Sequence, residues 1–220
     1  EEENEFNQKI VSAYRGEFYR VLKNEIDILQ MKLIEDKIFK YINDVDCIVE
    51  LGAGYGSKIL SIASNKKFTN KKFIAGELTT EGQKALKKIA SHMGIKIDVG
   101  YCDIGEGQFK ELKIPKNSLI FTSYSAHYTS KIKKRNYKKL LSLKPNIILH
   151  FEPIYEIFSN DKIYDLMCKK YIEINGYNTN LLSIIQHFEN EGLLNLNIEK
   201  NIIGSNPFLP ISVIECKVEK

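Results

Sequence analysis

The stretch Ile48-Val49-Glu50-Leu51-Gly52-Ala53-Gly54-Tyr55-Gly56 decides the fold of this 220-residue chain. A short apolar run, typical of a buried strand, leads directly into glycines spaced G-x-G-x-G. Because glycine has no Cβ, such a turn lets the backbone approach a bulky ligand closely. Residues 57–64 continue as a predicted helix, whose amino end points at whatever the turn holds. The stretch therefore predicts a strand, a ligand-holding turn and a helix.

The glycine spacing distinguishes among the folds that bind nucleotide cofactors. The dinucleotide fingerprint G-x-G-x-x-G requires glycine at position 57, which is Ser57, and this opposes a nicotinamide-dependent oxidoreductase. A phosphate-binding P-loop requires Gly-Lys-Ser/Thr, which residues 56–58 do not provide. Residues 49–56 instead resemble the first motif of class I S-adenosylmethionine-dependent methyltransferases. The resemblance implies that S-adenosylmethionine is the cofactor, that S-adenosylhomocysteine is the product, and that the turn holds the methionine part. The implied contacts are Glu50, Gly52, Ala53, Gly54, Tyr55 and Gly56.

A second acidic residue follows the next predicted strand. Residues 72–78 form a short apolar run that ends in Glu77 and Leu78. A carboxylate at this place in such folds, about 20 residues after the glycine turn, binds both hydroxyls of a ribose. The alternative is that Glu77 helps to begin the next helix, with Thr79 or Thr80 as its N-cap. We expect Glu77 to bind ribose and Leu78 to lie beside the cofactor.

A third acidic residue ends the alternating run of residues 95–104. In the methyltransferase family an acid here contacts the adenine amino group, and an apolar neighbour packs on the ring. By that resemblance Asp103 takes the amino group and Ile104 takes the ring face. The alternative is that Asp103 only forms the turn that leads to Gly105.

The order of predicted elements indicates an α/β fold with a sheet covered on both faces. Two amphipathic helices are predicted over residues 6–24 and 25–43. The family resemblance implies that they form a lid that closes over the site. The layout then matches the class I methyltransferase fold, which is Rossmann-like, with a seven-stranded, mostly parallel sheet and a C-terminal antiparallel hairpin. One domain is predicted over residues 1–220, with the lid in 1–45 and the cofactor-binding core in 46–220. Strands are expected near 47–51, 72–77, 96–101, 118–123, 146–151, 196–203 and 210–218, and helices over 57–64, 80–93, 132–143, 157–171 and 181–191.

Candidate catalytic residues are expected where the strands end, because ligands of open α/β sheets bind outside the carboxyl ends. A hydroxyl acceptor benefits from a general base with a pKa near neutrality, which makes His127 and His150 the candidates. Either histidine could instead simply bond to a loop backbone. Glu152 ends an apolar strand and needs a partner if it is buried, so it is predicted to bind substrate or pair with a histidine. Ser123 ends the preceding strand and is expected to contact the cofactor.

The segments that follow these strands contain no motif for gripping a nucleic-acid base and no paired carboxylates of the magnesium-dependent catechol type. We therefore expect a metal-independent enzyme that methylates a small polar acceptor, with oxygen preferred over nitrogen. Residues 123–128 and 150–153 are also similar to sugar-directed methyltransferases of surface-polysaccharide pathways, which would make the acceptor a sugar or polysaccharide precursor. Methylation of RNA or protein, and a module that binds the cofactor without chemistry, remain open as alternatives.

Composition restricts the partners of the chain. The net charge is +4, and almost all basic residues are lysines on predicted helix faces, so nucleic-acid binding is not expected. No run approaches the ~18 apolar residues that span a bilayer, so no membrane association is expected. The four scattered cysteines predict buried, reduced thiols of a cytoplasmic protein. The sequence is compatible with a monomer or a homodimer.

Overall fold

The computed structural model describes residues 8–219, which form one mixed sheet of ten strands in the order β2-β1-β9-β10-β8-β7-β3-β4-β5-β6. Six α-helices cover its two faces. The strands are β1 (Lys9–Tyr14), β2 (Glu17–Leu22), β3 (Cys47–Leu51), β4 (Lys72–Glu77), β5 (Asp98–Asp103), β6 (Gln108–Lys110), β7 (Ser118–Ser123), β8 (Ile147–Glu152), β9 (Leu194–Gly204) and β10 (Ile211–Val218). The helices are α1 (Lys23–Phe39), α2 (Ser57–Ser64), α3 (Thr80–His92), α4 (Lys134–Ser142), α5 (Ile163–Ile174) and α6 (Leu181–Asn190).

The middle of the sheet is parallel and buried on both faces. β3 pairs in parallel with β4 and β7, β4 pairs with β5, and β7 pairs with β8. Every residue of β3, β7 and β8 is buried, as expected for strands that have helices on both sides. One apolar cluster packs α1, α2 and α3 on one face, and a second packs α4 and α6 on the other. The carboxyl ends of these strands therefore meet at one rim of the sheet.

The predicted first lid helix is wrong, because residues 9–22 form a hairpin of β1 and β2. Its turn residues Arg15 and Gly16 have φ of 50° and 86°, as a two-residue hairpin turn requires. The apolar spacing suggested a helix, but aromatic and β-branched residues also suit a strand, and β1 pairs with β9 at the sheet edge. Phe6, on which that helix was partly based, lies outside the described residues. The second predicted helix exists as α1, which ends at Phe39.

The predicted count of seven strands is too low. The hairpin adds β1 and β2, and the short β6 extends the other edge by pairing antiparallel with β5. The last two strands, β9 and β10, pair antiparallel with each other as predicted, and β10 is also antiparallel to β8. The helix predicted over 157–171 begins later, as α5 at Ile163. The sheet is therefore a parallel centre with antiparallel strands added at both edges.

A buried carboxylate fixes α1 against the sheet. Glu215 of β10 accepts hydrogen bonds from Lys37 Nζ, Lys40 Nζ and Tyr41 Oη at 2.9, 2.7 and 2.5 Å. Burial opposes ionisation of Glu215, but these donors outweigh it and lower its pKa to about 2. The carboxyl half of α1 is thereby held in place, which sets the position of its amino half at the rim.

Candidate functional site

A central cleft of about 600 Å³ opens at the carboxyl ends of β3, β4, β5 and β7. This position agrees with the rule that open α/β sheets bind ligands outside the carboxyl ends of their strands. Every residue predicted to bind the cofactor lines this cleft except Gly56. The lining residues are Glu50, Gly52, Ala53, Gly54, Tyr55, Ser57, Lys58, Glu77, Leu78, Thr79, Cys102, Asp103, Ile104, Ser123, Tyr124, Ser125, Tyr128 and Thr129.

The glycine turn forms the floor of the central cleft. Gly52 has φ +75°, and a Cβ there would lie 2.3 Å from the Cβ of Ser125, so only glycine fits. A Cβ on Gly54 would meet no atom within 4 Å, so open space lies above this residue. Gly56 is the N-cap of α2 and packs on Leu86 behind the turn, so it does not line the cleft with the other predicted contacts. The turn thus presents bare backbone to the cleft.

Glu77 has the helix-starting role that the sequence left open as the alternative to ribose binding, and it also lines the cleft. Its Oε2 accepts the N–H of Gly54 at 2.9 Å, and its Oε1 accepts the N–H and hydroxyl of Thr79 at 2.9 and 2.7 Å. Thr79 is the N-cap of α3, accepting the N–H of Gly82 at 3.1 Å. A carboxylate has about four acceptor sites, so roughly one on Oε2 is left for a ligand hydroxyl. Glu77 therefore ties the glycine turn to α3 and still borders the cleft.

Asp103 and Ile104 lie on the wall of the cleft at the end of β5. Oδ1 of Asp103 accepts the N–H of Glu106 at 2.9 Å, which is the turn-forming role considered as the alternative. This bond occupies one of the two carboxylate oxygens. The other oxygen is available to a donor such as an amino group, and Ile104 supplies an apolar surface beside it.

Glu50 is a buried carboxyl group in the wall of the central cleft. It is 1% exposed, and Oε2 accepts the N–H of Ile59 at 3.0 Å. Burial raises its pKa to about 8, although the charge of Lys58 and the Ile59 hydrogen bond act in the opposite direction. At neutral pH the group is therefore largely protonated, and a cation placed beside it would drive its ionisation.

The hydroxyl of Ser123 is buried without a hydrogen-bond partner in the described residues. Its side chain is 4% exposed, and Oγ has no hydrogen-bond partner among residues 8–219. A buried hydroxyl without a partner costs about 1–3 kcal/mol, so such groups are nearly always satisfied. Because Ser123 lines the cleft, a bound molecule with a polar atom at this point would supply the partner. Together with the open glycine turn, this observation fits a polar ligand such as the one implied by the family resemblance.

Glu152 builds the loop behind the cleft and does not line the cleft itself. It is completely buried, and it accepts the N–H groups of Ser125, Ala126 and His127 at 3.0 to 3.3 Å. His127 Nδ1 lies 3.2 Å from Oε2. Burial opposes ionisation of Glu152, but the hydrogen bonds from His127 and from the backbone outweigh it and lower its pKa. The predicted pairing of Glu152 with a histidine is present, as a structural clamp.

His127 packs behind the aromatic side chains that border the cleft. It is 2% exposed, its ring centroid lies 4.1 Å from that of Tyr128, and the ring of Tyr177 meets it edge-on. Tyr124 covers it from a third side. The structure therefore places His127 in the same loop as cleft residues, but with its ring directed into the protein.

His150 is separate from the cleft, which contradicts its predicted role as a base. Its Nδ1 lies 2.9 Å from Thr122 Oγ1 and its Nε2 lies 3.0 Å from Tyr137 Oη. Both ring nitrogens are thus occupied inside the core. Burial lowers its pKa to about 4, so it is neutral at physiological pH. The prediction assumed that the side chain of His150 points to the cleft. Successive residues of a strand point to opposite faces, and His150 points to the face that α4 covers.

A second cleft, the α1 cleft, adjoins the central one and was missed in the sequence. It measures about 440 Å³ and lies between the amino half of α1 and the glycine turn. Periodicity identified α1 but could not show which of its polar residues face the rim. The residues that line it are Lys23, Asp27, Gln30, Met31, Ile34, Tyr55, Ser57, Lys58, Ser123, Tyr124 and Ile211.

Some properties predicted from composition can be examined in residues 8–219. All four cysteines are free and buried, as predicted. None of the helices described there has the length and apolar character needed to cross a membrane.

Comparison with known proteins identifies the fold. No protein-family model matches the chain, and no curated protein matches it. Among solved structures it is similar to a SAM-dependent methyltransferase from Aquifex aeolicus (TM-score 0.56, 14% identity, 90% of this chain and 100% of that one). It is also similar to the plantazolicin methyltransferase BpumL, solved with a desmethylPZN analog and SAH (0.60, 13%, 90% and 88%). A third is the O-methyltransferase from Bacillus cereus in complex with SAH (0.59, 12%, 86% and 80%).

These similarities show the methyltransferase-like α/β fold, in agreement with the class of fold expected from the glycine turn. The antiparallel hairpin β1–β2 and the short β6 enlarge the sheet to ten strands in this chain. At identities of 12 to 14%, the similarity concerns the fold and leaves activity to be argued from the site.

Proposed function

We propose that this chain is an S-adenosylmethionine-dependent methyltransferase that acts on a small polar acceptor, with oxygen as the preferred target. The observation that carries the proposal is the convergence of Glu50, the glycine turn, Glu77 and Asp103 around one cleft. These residues come from three neighbouring strands and are brought together only by the fold. Solved structures with the same fold include methyltransferases crystallised with SAH, which supports the choice of cofactor.

Each wall of the central cleft suits one part of that cofactor. Glu50 would take the ammonium of the methionine part, next to the bare backbone of Gly54. Glu77 would accept a hydrogen bond from a ribose hydroxyl with its remaining acceptor site. Asp103 would accept the adenine amino group, and Ile104 would pack on the ring. The cleft volume of about 600 Å³ lies within the range of about 300–1,000 Å³ found for small-molecule sites.

The bound cofactor would supply an activated methyl group on a sulfonium, and the protein would supply alignment. Holding two reactants in line contributes up to ~7–11 kcal/mol through proximity and orientation. The loop of residues 123–128 would do this, because the Glu152 clamp fixes its backbone. His127 and Glu152 are therefore proposed as positioning residues, in place of the histidine base expected from the sequence.

Transfer of a radiolabelled methyl group from S-adenosylmethionine tests the proposal. The full chain is incubated with a panel of small hydroxyl and amine compounds, and with RNA and protein fractions, with and without EDTA. We expect label in a small hydroxyl compound, at a rate that EDTA does not change. Label in RNA or protein alone, or a requirement for an added divalent ion, would contradict the proposal.

A second candidate function is a module that binds the cofactor without chemistry. The observation in its favour is that Glu152, His127 and His150 are all engaged in structural contacts. Cofactor binding without turnover on any acceptor of the panel would support this candidate.

A further inference from the structure

The α1 cleft adjoins the central cleft. The two share five residues, Tyr55, Ser57, Lys58, Ser123 and Tyr124. A molecule in the α1 cleft would therefore lie beside a ligand of the central cleft. The remaining polar wall comes from Lys23, Asp27 and Gln30 of α1.

Two polar groups lie at the boundary between the two clefts, the hydroxyl of Tyr124, which has hydrogen-bond partners, and that of Ser123, which has none within residues 8–219. The hydroxyl of Tyr124 donates to the carbonyl of Leu209 at 2.9 Å and lies 3.4 Å from Gln30 Nε2. Ser123 Oγ, by contrast, is buried and has no partner within the described part of the chain. Because Ser123 lines both clefts, its hydroxyl is available to a polar molecule at their junction.

The charges of the α1 cleft favour an acidic ligand. Its charged wall residues are Lys23, Asp27 and Lys58, and none of them forms an ion pair with another residue in 8–219. Two cations and one anion leave an excess of positive charge. The charge of a sulfonium at the junction would have the same sign, whereas the acids of the central cleft lie on its other walls, so the α1 cleft favours an anion over an ammonium.

We propose that the α1 cleft binds the methyl acceptor, and that this acceptor is a small hydroxyl compound with an ionised carboxylate or phosphate. This inference rests on the proposed function. Lys23 would pair with the acidic group, and Asp27 would accept the hydrogen bond of the reacting hydroxyl. In the transfer, a lone pair of the acceptor oxygen forms the bond to the methyl carbon. The carbon–sulfur bond breaks with its electrons going to sulfur, and the hydroxyl proton passes to Asp27, which solvent reaches.

The test uses the full chain saturated with SAH and a panel of four compounds. The panel consists of para-hydroxybenzoate, a hexose phosphate, the corresponding neutral hexose, and tyramine as the cation. Binding is measured by calorimetry, and methyl transfer is measured with labelled S-adenosylmethionine. We expect at least one acidic compound to bind more tightly than the hexose and tyramine. Whichever of para-hydroxybenzoate and the hexose phosphate binds more tightly identifies the acidic group of the acceptor as a carboxylate or a phosphate.

Matched lysines of α1 locate the site. Lys23→Met should weaken binding of the acidic compound by about tenfold, the effect of losing one charged hydrogen bond, and should leave SAH binding unchanged. Lys32→Met removes the same charge from an exposed position outside the cleft and should change neither. SAH binding without preference for acidic compounds, or equal effects of the two substitutions, refutes this inference alone. Failure of SAH to bind refutes the proposed function as well.

Discussion

Substitution of Glu152 by Gln should destabilise the fold and disrupt the loop that lines the central cleft. The carboxylate is completely buried and accepts three backbone N–H groups, with His127 Nδ1 as its fourth neighbour. Glutamine has nearly the same volume but keeps only one acceptor oxygen, and its NH₂ group would face N–H donors. Removing one side of a buried charged network costs about 3–5 kcal/mol, since the remaining groups lose their partner.

Urea unfolding of the two proteins at pH 7 measures this cost. We expect the free energy of unfolding to fall by about 3–5 kcal/mol. Glu81→Gln replaces an exposed carboxylate in the first turn of α3 and should cost less than about 1 kcal/mol. Equal stabilities of wild type and Glu152→Gln would refute the clamp.

The same clamp predicts a direction for the pH dependence. The pKa of Glu152 is lowered in the folded protein, so the unfolded chain binds the proton more readily. Its contribution is fully present above the unfolded pKa of about 4.3 and is lost as pH falls through the folded pKa. The difference between wild type and Glu152→Gln should therefore narrow below about pH 4.

Three further predictions concern the clefts and the core. SAH binding at pH 7 should release protons. Burial raises the pKa of Glu50 to about 8, so this group is protonated in the free protein and would ionise beside the ammonium of the ligand. Equal binding enthalpies in Tris and phosphate buffers would contradict this prediction. Gly52→Ala should abolish SAH binding, because the added Cβ would lie 2.3 Å from the Cβ of Ser125. Gly94→Ala, at φ +67° in open space, should bind SAH normally. Retained binding in Gly52→Ala would show that the turn is not closely packed. His150 is buried in neutral form with a pKa of about 4, so between about pH 6.5 and pH 4 it is charged only in the unfolded chain. Urea unfolding should therefore show the free energy of unfolding decreasing as the pH is lowered through this range. His150→Asn should flatten this part of the curve, and an unchanged slope would contradict the assignment.

Much of the central cleft could be predicted because it is encoded locally. β3, β4 and β7 have the predicted bounds, since continuous apolar runs between polar turns define buried parallel strands. The acids that end β3, β4 and β5 could then be placed at one rim by the topology of the fold.

The remaining features depend on contacts between distant parts of the chain. The hairpin β1–β2 forms because β1 finds a partner in β9, far along the sequence, and periodicity within residues 9–22 does not contain this information. The orientation of His150 depends on which face of β8 meets Tyr137, and the backbone N–H groups that donate to Glu152 lie in another loop. The α1 cleft likewise arises only when α1 packs beside the glycine turn.

Calorimetric titration of the ligand-free protein with SAH tests the central claim most directly. The chain contains a matched pair of aspartates on β5, with Asp103 in the wall of the cleft and Asp98 exposed at the other end of the strand. We predict micromolar binding to the wild type, a loss of about tenfold or more in Asp103→Ala, and unchanged binding in Asp98→Ala. A folded wild type that binds no SAH, or one in which both substitutions have the same effect, would contradict the assignment of the central cleft.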